Sequence, residues 1–143
     1  MPRLQGTNHI SLHVTDLARS AEWYQRVFAA VVVADETTTA PATFRPLRYR
    51  GMFVMEAMTQ LVGLVERSDG DLSPFDERRI GLDHLALHVP ERSDLEAWVR
   101  HLDRLGIAHS GIKSVDYADA VTFPPVQNRE VAMTTTTTEG SAR

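Results

Sequence analysis

The stretch His9-Ile10-Ser11-Leu12-His13-Val14 returns 75 residues further on as His84-Leu85-Ala86-Leu87-His88-Val89. Four of the six letters are identical, and the first copy alternates strictly. Ile10, Leu12 and Val14 fall on one face of a strand, and His9, Ser11 and His13 on the other. The same offset sets Trp23 over Trp98 and Val27 over Leu102, so the repeat continues past the strand into the element after it. A period of about half the chain indicates a duplicated module.

Each copy reads as a strand, then a helix, then further strands. Asp16 is placed to cap a helix running to Phe28, with Leu17, Ala21, Tyr24 and Phe28 in one stripe. In the second copy Ser93 or Asp94 is the expected cap for a helix carrying Leu95, Trp98, Val99, Leu102 and Leu105. Gly106 stands where a left-handed residue closes a helix. Strands are expected over 30–34, within 44–56 and over 60–65 in the first copy. In the second they are expected over 107–115, 120–123 and 130–135. The expected fold is α+β, two βαβββ modules forming a curved mixed sheet. The modules span about 7–66 and 82–135, joined by a polar linker over 67–81, with a flexible tail over 136–143.

Composition narrows the function classes. The 143 residues contain no cysteine, which excludes disulfides and thiolate metal sites. A net charge of -4 with scattered Lys and Arg gives no basic stripe, so no nucleic-acid partner is expected. No apolar run approaches the roughly 20 residues of a membrane span. The amino terminus MPRLQGTNH has no apolar stretch for export, and the expected location is cytoplasmic. Nucleotide-binding loops and the HExxH and GxSxG hydrolase motifs are also missing.

With its opening NHISLHVTDLARSAEWYQRVF, the linker end FDERRIGLDHLALHV and the helix closing in LDRLGIAHSG, the chain resembles the vicinal oxygen chelate superfamily over nearly its whole length. That superfamily comprises glyoxalases, bleomycin resistance proteins and extradiol dioxygenases. The resemblance implies a small molecule bound in a cup between the modules. It also implies one divalent ion (Zn, Ni, Fe or Mn) held by residues on the first and last strands of each module.

The first-strand positions fall on His9 and His84. The last-strand positions fall on Gly63 and Ala132, which carry no donor, because the family's F-x-D-P-D-G-N-x-x-E is replaced from Phe123 by Pro-Pro-Val-Gln-Asn-Arg-Glu-Val-Ala. Glu130 shares the parity of Ala132, about 6.6 Å away along a strand. It is the carboxylate expected to complete the metal set His9, His84 and Glu130 and to serve as the catalytic group. Glu66 has the wrong parity to replace Gly63. His13 and His88 lie about 13 Å from His9 and His84 along their strands, too far to share an ion, and are expected to line the cavity mouth. His101 and His109 are expected to be structural or exposed.

Trp23 and Trp98 are expected to join helix to sheet. Phe44, Tyr49, Met52, Phe53, Met55 and Met58 are expected to supply a pocket wall, and Tyr117 lies in a loop that closes over the site in the family. Two functions follow. One is a metal-dependent lyase, isomerase or dioxygenase; the two-carboxylate site of glyoxalase I does not map onto this chain. The other is a metal-free protein that sequesters its ligand, as bleomycin resistance proteins do. A homodimer is expected as well, with apolar residues of 52–65 suited to the interface.

Overall fold

A computed structural model describes residues 3, 7–38, 47–53, 61–67, 73, 76, 78–124 and 131–135; for 36–38, 47–53 and 131–133 it describes the backbone alone. The chain forms two compact units, Met1–Pro74 with Val126–Asn128, and Phe75–Pro125 with Arg129–Arg143.

The first unit runs β1 (His9–His13), α1 (Leu17–Phe28), β2 (Val31–Thr38), β3 (Leu47–Phe53) and β4 (Leu61–Arg67). Its sheet has the order β1-β4-β3-β2, with β1 parallel to β4 and the other pairs antiparallel. The second unit repeats this with β5 (Leu85–His88), α2 (Arg92–Leu105), β6 (Lys113–Val115), β7 (Ala118–Phe123) and β8 (Val131–Thr134), in the order β5-β8-β7-β6. Each unit is a βαβββ module, and the fold is α+β.

The alternation seen in the repeat sorts the two faces of each sheet. Val62 and Leu64 of β4 are fully buried beneath α1, together with Leu17, Ala21, Tyr24 and Phe28. In the second unit Leu87, Val121 and Phe123 are buried with Leu95 and Leu102 of α2. His9, Ser11 and His13 lie on the opposite side of β1 and are exposed, as are Ala86 and His88 on β5. Val62 and Leu64 of β4 therefore belong to the unit's own core. Within its sheet β4 is an interior strand, flanked by β1 and β3.

Asp16 caps α1, its Oδ1 accepting from Arg19 N–H at 3.0 Å. At the far end Ala29 takes the left-handed conformation with φ +49°, which an L-residue adopts at a cost of about 1 kcal/mol. The cap of α2 is Glu91, not Ser93 or Asp94. Asp94 sits three residues into the turn and reaches back, its Oδ2 accepting from Glu91 N–H at 3.0 Å. Gly106 closes α2 as expected, at φ +67°. Its N–H donates to Asp103 O and that of Ile107 to Leu102 O, both at 3.0 Å.

Two strands differ most in length from their sequence reading. β2 extends to Thr38, with a bulge between Val32 and Ala34 that disturbs this edge strand. The strand expected over 107–115 shrinks to Lys113–Val115; ahead of it Ser110 N–H donates to Thr122 O on β7 at 2.9 Å, while neighbouring groups turn to side chains. Gly111 N–H donates to His109 Nδ1 at 3.0 Å, and Ser110 Oγ donates to Gly111 O at 2.7 Å.

Candidate functional site

Strand β1 carries His9 at its first position, on the side of the sheet away from α1. Its register partner on β4 is Leu61, while Gly63 pairs with Ser11 and Val65 with His13. Parallel partners point to the same side, so β4 presents Leu61, Gly63 and Val65 beside the three polar residues of β1. None of these offers a side-chain donor to an ion. Glu66, the carboxylate on this strand, lies on the other side. Its Oε2 accepts from Leu17 N–H at 2.7 Å, placing negative charge at the amino end of α1, where free N–H groups and the helix dipole favour it. Glu66 thus has a structural post, which gives its parity a physical meaning.

His84 immediately precedes β5, and its side chain is 51% exposed. On the ladder that follows, Leu85 pairs with Val131, Ala86 with Ala132, Leu87 with Met133 and His88 with Thr134. Glu130 lies outside the described residues, as do Phe44, Met55 and Met58. His9 belongs to the first unit and His84 to the second. Among the described residues, no group of three His, Asp or Glu side chains is gathered closely enough to hold a metal ion.

Sequence reasoning passed over the residues just before the two histidines. Asn8 Oδ1 accepts from His9 Nδ1 at 2.8 Å, and Asp83 Oδ2 accepts from His84 Nδ1 at 2.7 Å. A carboxylate accepts only, so the proton of the neutral His84 ring lies on Nδ1. Neither Nε2 has a hydrogen-bond partner among the described residues. The signal was present in the sequence: Asn-His in one copy and Asp-His in the other, each with a side-chain oxygen one residue before the imidazole.

The other histidines do different work. His13 and His88 are exposed on β1 and β5. His109 is a structural residue, with a side chain only 13% exposed. Its Nδ1 accepts from Gly111 N–H, so its proton sits on Nε2, 3.1 Å from Asp103 Oδ1. The His101 ring meets Trp98 edge-on with centroids 5.5 Å apart. Trp23 is buried on α1, edge-on to Tyr24 at 5.0 Å and to Phe28 at 5.7 Å, whereas Trp98 is half-buried. Tyr117 sits exposed in the two-residue turn between β6 and β7.

Near that turn lies a polar cluster at the amino end of α2. Arg92 Nη1 donates to Asp119 Oδ2 at 2.6 Å, and Ser114 Oγ donates to Asp119 Oδ1. The Ser114 hydroxyl, then the Arg92 guanidinium, hold the Asp119 carboxyl below the usual carboxylate range.

Across both βαβββ units, the model of the glyoxalase/bleomycin resistance protein/dioxygenase superfamily matches residues 6–134. The chain belongs to this superfamily. Solved structures agree with the superfamily fold. A glyoxylase/bleomycin resistance protein/dioxygenase domain from Frankia sp. EAN1pec superposes with a TM-score of 0.82 at 22% identity, covering 96% of each chain. The fosfomycin resistance protein FosX of Listeria monocytogenes, as a mutant complexed with Mn(II) and 1S,2S-dihydroxypropylphosphonic acid, gives 0.66 at 17% identity over 92% of each chain. TnmS3, an antibiotic binding protein from Streptomyces sp. CB03234, gives 0.70 at 14% identity, covering 96% of this chain and all of its own. No curated protein matches the chain. At these identities the superfamily structures establish the fold.

Proposed function

We propose that this superfamily member binds a small molecule with the help of a divalent ion, held by Nε2 of His9, Nε2 of His84 and the carboxylate of Glu130. The observation that carries this reading is the pair of exposed imidazoles at matching positions of the two modules, each with Nδ1 engaged and Nε2 unoccupied by any described group. Neutral imidazole with its second nitrogen bonded to an oxygen is the state in which histidine ligates metal. The donor set therefore fits a divalent ion, and two imidazoles with one carboxylate leave coordination positions for a ligand.

The reading requires the parallel register of β5 and β8, whose first pair is Leu85 with Val131, to continue by one residue. When bound, the ion would supply Lewis-acid polarisation of vicinal oxygens, as in a lyase, isomerase or dioxygenase. The chain's own residues would orient the imidazoles, supply the Glu130 carboxylate as a proton acceptor, and line the site with the small residues Ser11, Gly63 and Ala86. FosX with Mn(II) supports a metal in this fold.

A second reading is favoured by one observation: the family's last-strand ligand positions hold Gly63 and Ala132, neither of which has a donor. On that reading the protein sequesters its ligand without metal, a role for which the antibiotic-binding TnmS3 offers a parallel.

Metal analysis of untagged, chelator-free protein, followed by calorimetric titration with Zn²⁺, Ni²⁺, Fe²⁺ and Mn²⁺, separates the two. The metal reading expects stoichiometric binding that weakens at least tenfold in Glu130→Gln and tightens in Ala132→Glu. Indifference of the wild type to all four ions would leave the metal-free binder.

A further inference from the structure

The two residues that precede the candidate ligands form a matched pair. In each module an oxygen-bearing side chain turns onto the imidazole that follows it, Asn8 Oδ1 onto His9 Nδ1 at 2.8 Å and Asp83 Oδ2 onto His84 Nδ1 at 2.7 Å. Adjacent residues on an extended chain ordinarily point to opposite faces. The same local contact therefore needs a bend of side chain toward side chain, and it occurs twice, 75 residues apart, at the two positions related by the repeat.

Its chemical consequence is tautomeric. A free histidine ring favours its proton on Nε2, whereas an oxygen acceptor at Nδ1 draws the proton there and leaves the Nε2 lone pair available. We propose that Asn8 and Asp83 are positioning residues that hold both rings in the Nδ1–H form, and that they make the two rings unequal as ligands. This deepens the metal reading above and rests on it for its affinity arm.

The inequality follows from charge. The Asn8 amide is a neutral acceptor; the Asp83 carboxylate is an anion whose charge-assisted hydrogen bond strengthens the donor character of the ring it holds. The Nε2 of His84 would then be the stronger donor to an ion and that of His9 the weaker. A substitution that exchanges amide and carboxylate should move the strength of each anchor without disturbing the fold, because both residues are exposed.

Nitrogen-15 NMR on the metal-free protein, at a pH where the rings are neutral, reads the tautomer of each histidine directly. The wild type should show His9 and His84 as Nδ1–H, and Asn8→Ala and Asp83→Ala should each return their own ring to the Nε2–H form. Asp83→Asn, which keeps an acceptor oxygen, should retain the Nδ1–H form. An Nε2–H signal from either ring of the wild type, or Nδ1–H rings persisting in the alanine variants, would overturn the proposal.

The affinity arm uses Zn²⁺ alone as probe: Asp83→Asn should loosen it roughly tenfold and Asn8→Asp should tighten it. Unchanged affinity in both would overturn the inequality. A wild type that takes up no metal would overturn the proposed function instead, and the tautomers alone would then decide the positioning role.

Discussion

Tyr24 shows what a single residue can cost this fold. Its ring is buried on α1, stacked on Phe28 with centroids 5.7 Å apart, and its hydroxyl is the one buried side-chain polar atom without a hydrogen-bond partner among the described residues. Burial pushes the phenol well above its ordinary range. The helical stripe in the sequence identified Tyr24 as a core position, but periodicity records only that a side chain is apolar enough to be buried. It does not record whether a partner waits for the oxygen. Tyr24→Phe should therefore stabilise the protein by about 1 kcal/mol, as measured by urea unfolding, since it removes an unpaired buried hydroxyl. The pH dependence has a definite sign. A folded value above the unfolded one, about 10, means that the native state resists ionisation, so stability is fully present below pH 10 and falls as pH rises beyond it. The phenylalanine variant should lose that alkaline decline.

At the level of elements, the two modules use different devices for the same end. Helix α1 is entered through Asp16 and the Glu66 carboxylate brought from β4, whereas α2 is entered through Glu91 and Asp94 of its own first turn. The α1 cap at Asp16 was legible because Asx capping is local. The Glu66 contribution was not, since it arrives from 49 residues away. The hairpin of β6 and β7 is tied to α2 by Arg92, Ser114 and Asp119. Asp119 has its ionisation shifted downward by the Ser114 hydroxyl and the Arg92 guanidinium. Its contribution is therefore present above the ordinary carboxylate pKa of about 3.9 and is lost as pH falls through the lower, folded value. Acid unfolding of Asp119→Asn should lack this part of the pH dependence, and the variant should be less stable than the wild type at neutral pH. A variant with an acid limb identical to the wild type's would show that the cluster contributes nothing.

For the whole molecule, each unit taken by itself ends in unpaired strand edges, β1 and β2 in one and β5 and β6 in the other. Edge strands invite pairing or need protection. The bulge in β2 is one such protection, yet Val31 and Val33 beside it are about half exposed. Alongside the apolar residues of 52–65, these valines are candidates for an interface between copies. We expect a homodimer with twice the 16.0 kDa mass of the chain. Light scattering at micromolar concentration checks this, and a mass of 16.0 kDa would refute it. Replacing Val31 and Val33 with Lys together should shift the dimer toward monomer. No helix among the described residues is long and apolar enough to cross a membrane.

What the amino-acid sequence determined by itself was whatever depends on period and local chemistry. The 75-residue repeat implied two equal modules, the alternation in His9–Val14 sorted the faces of β1, and Asp16 and Gly106 marked helix ends. Those signals act over one turn or one strand, and single residues carry them. Tertiary structure alone decided two things. It paired His9 with Leu61 and Ser11 with Gly63, a register between distant strands that no local period encodes. It gave Glu66 to the amino end of α1, through a contact no spacing rule encodes.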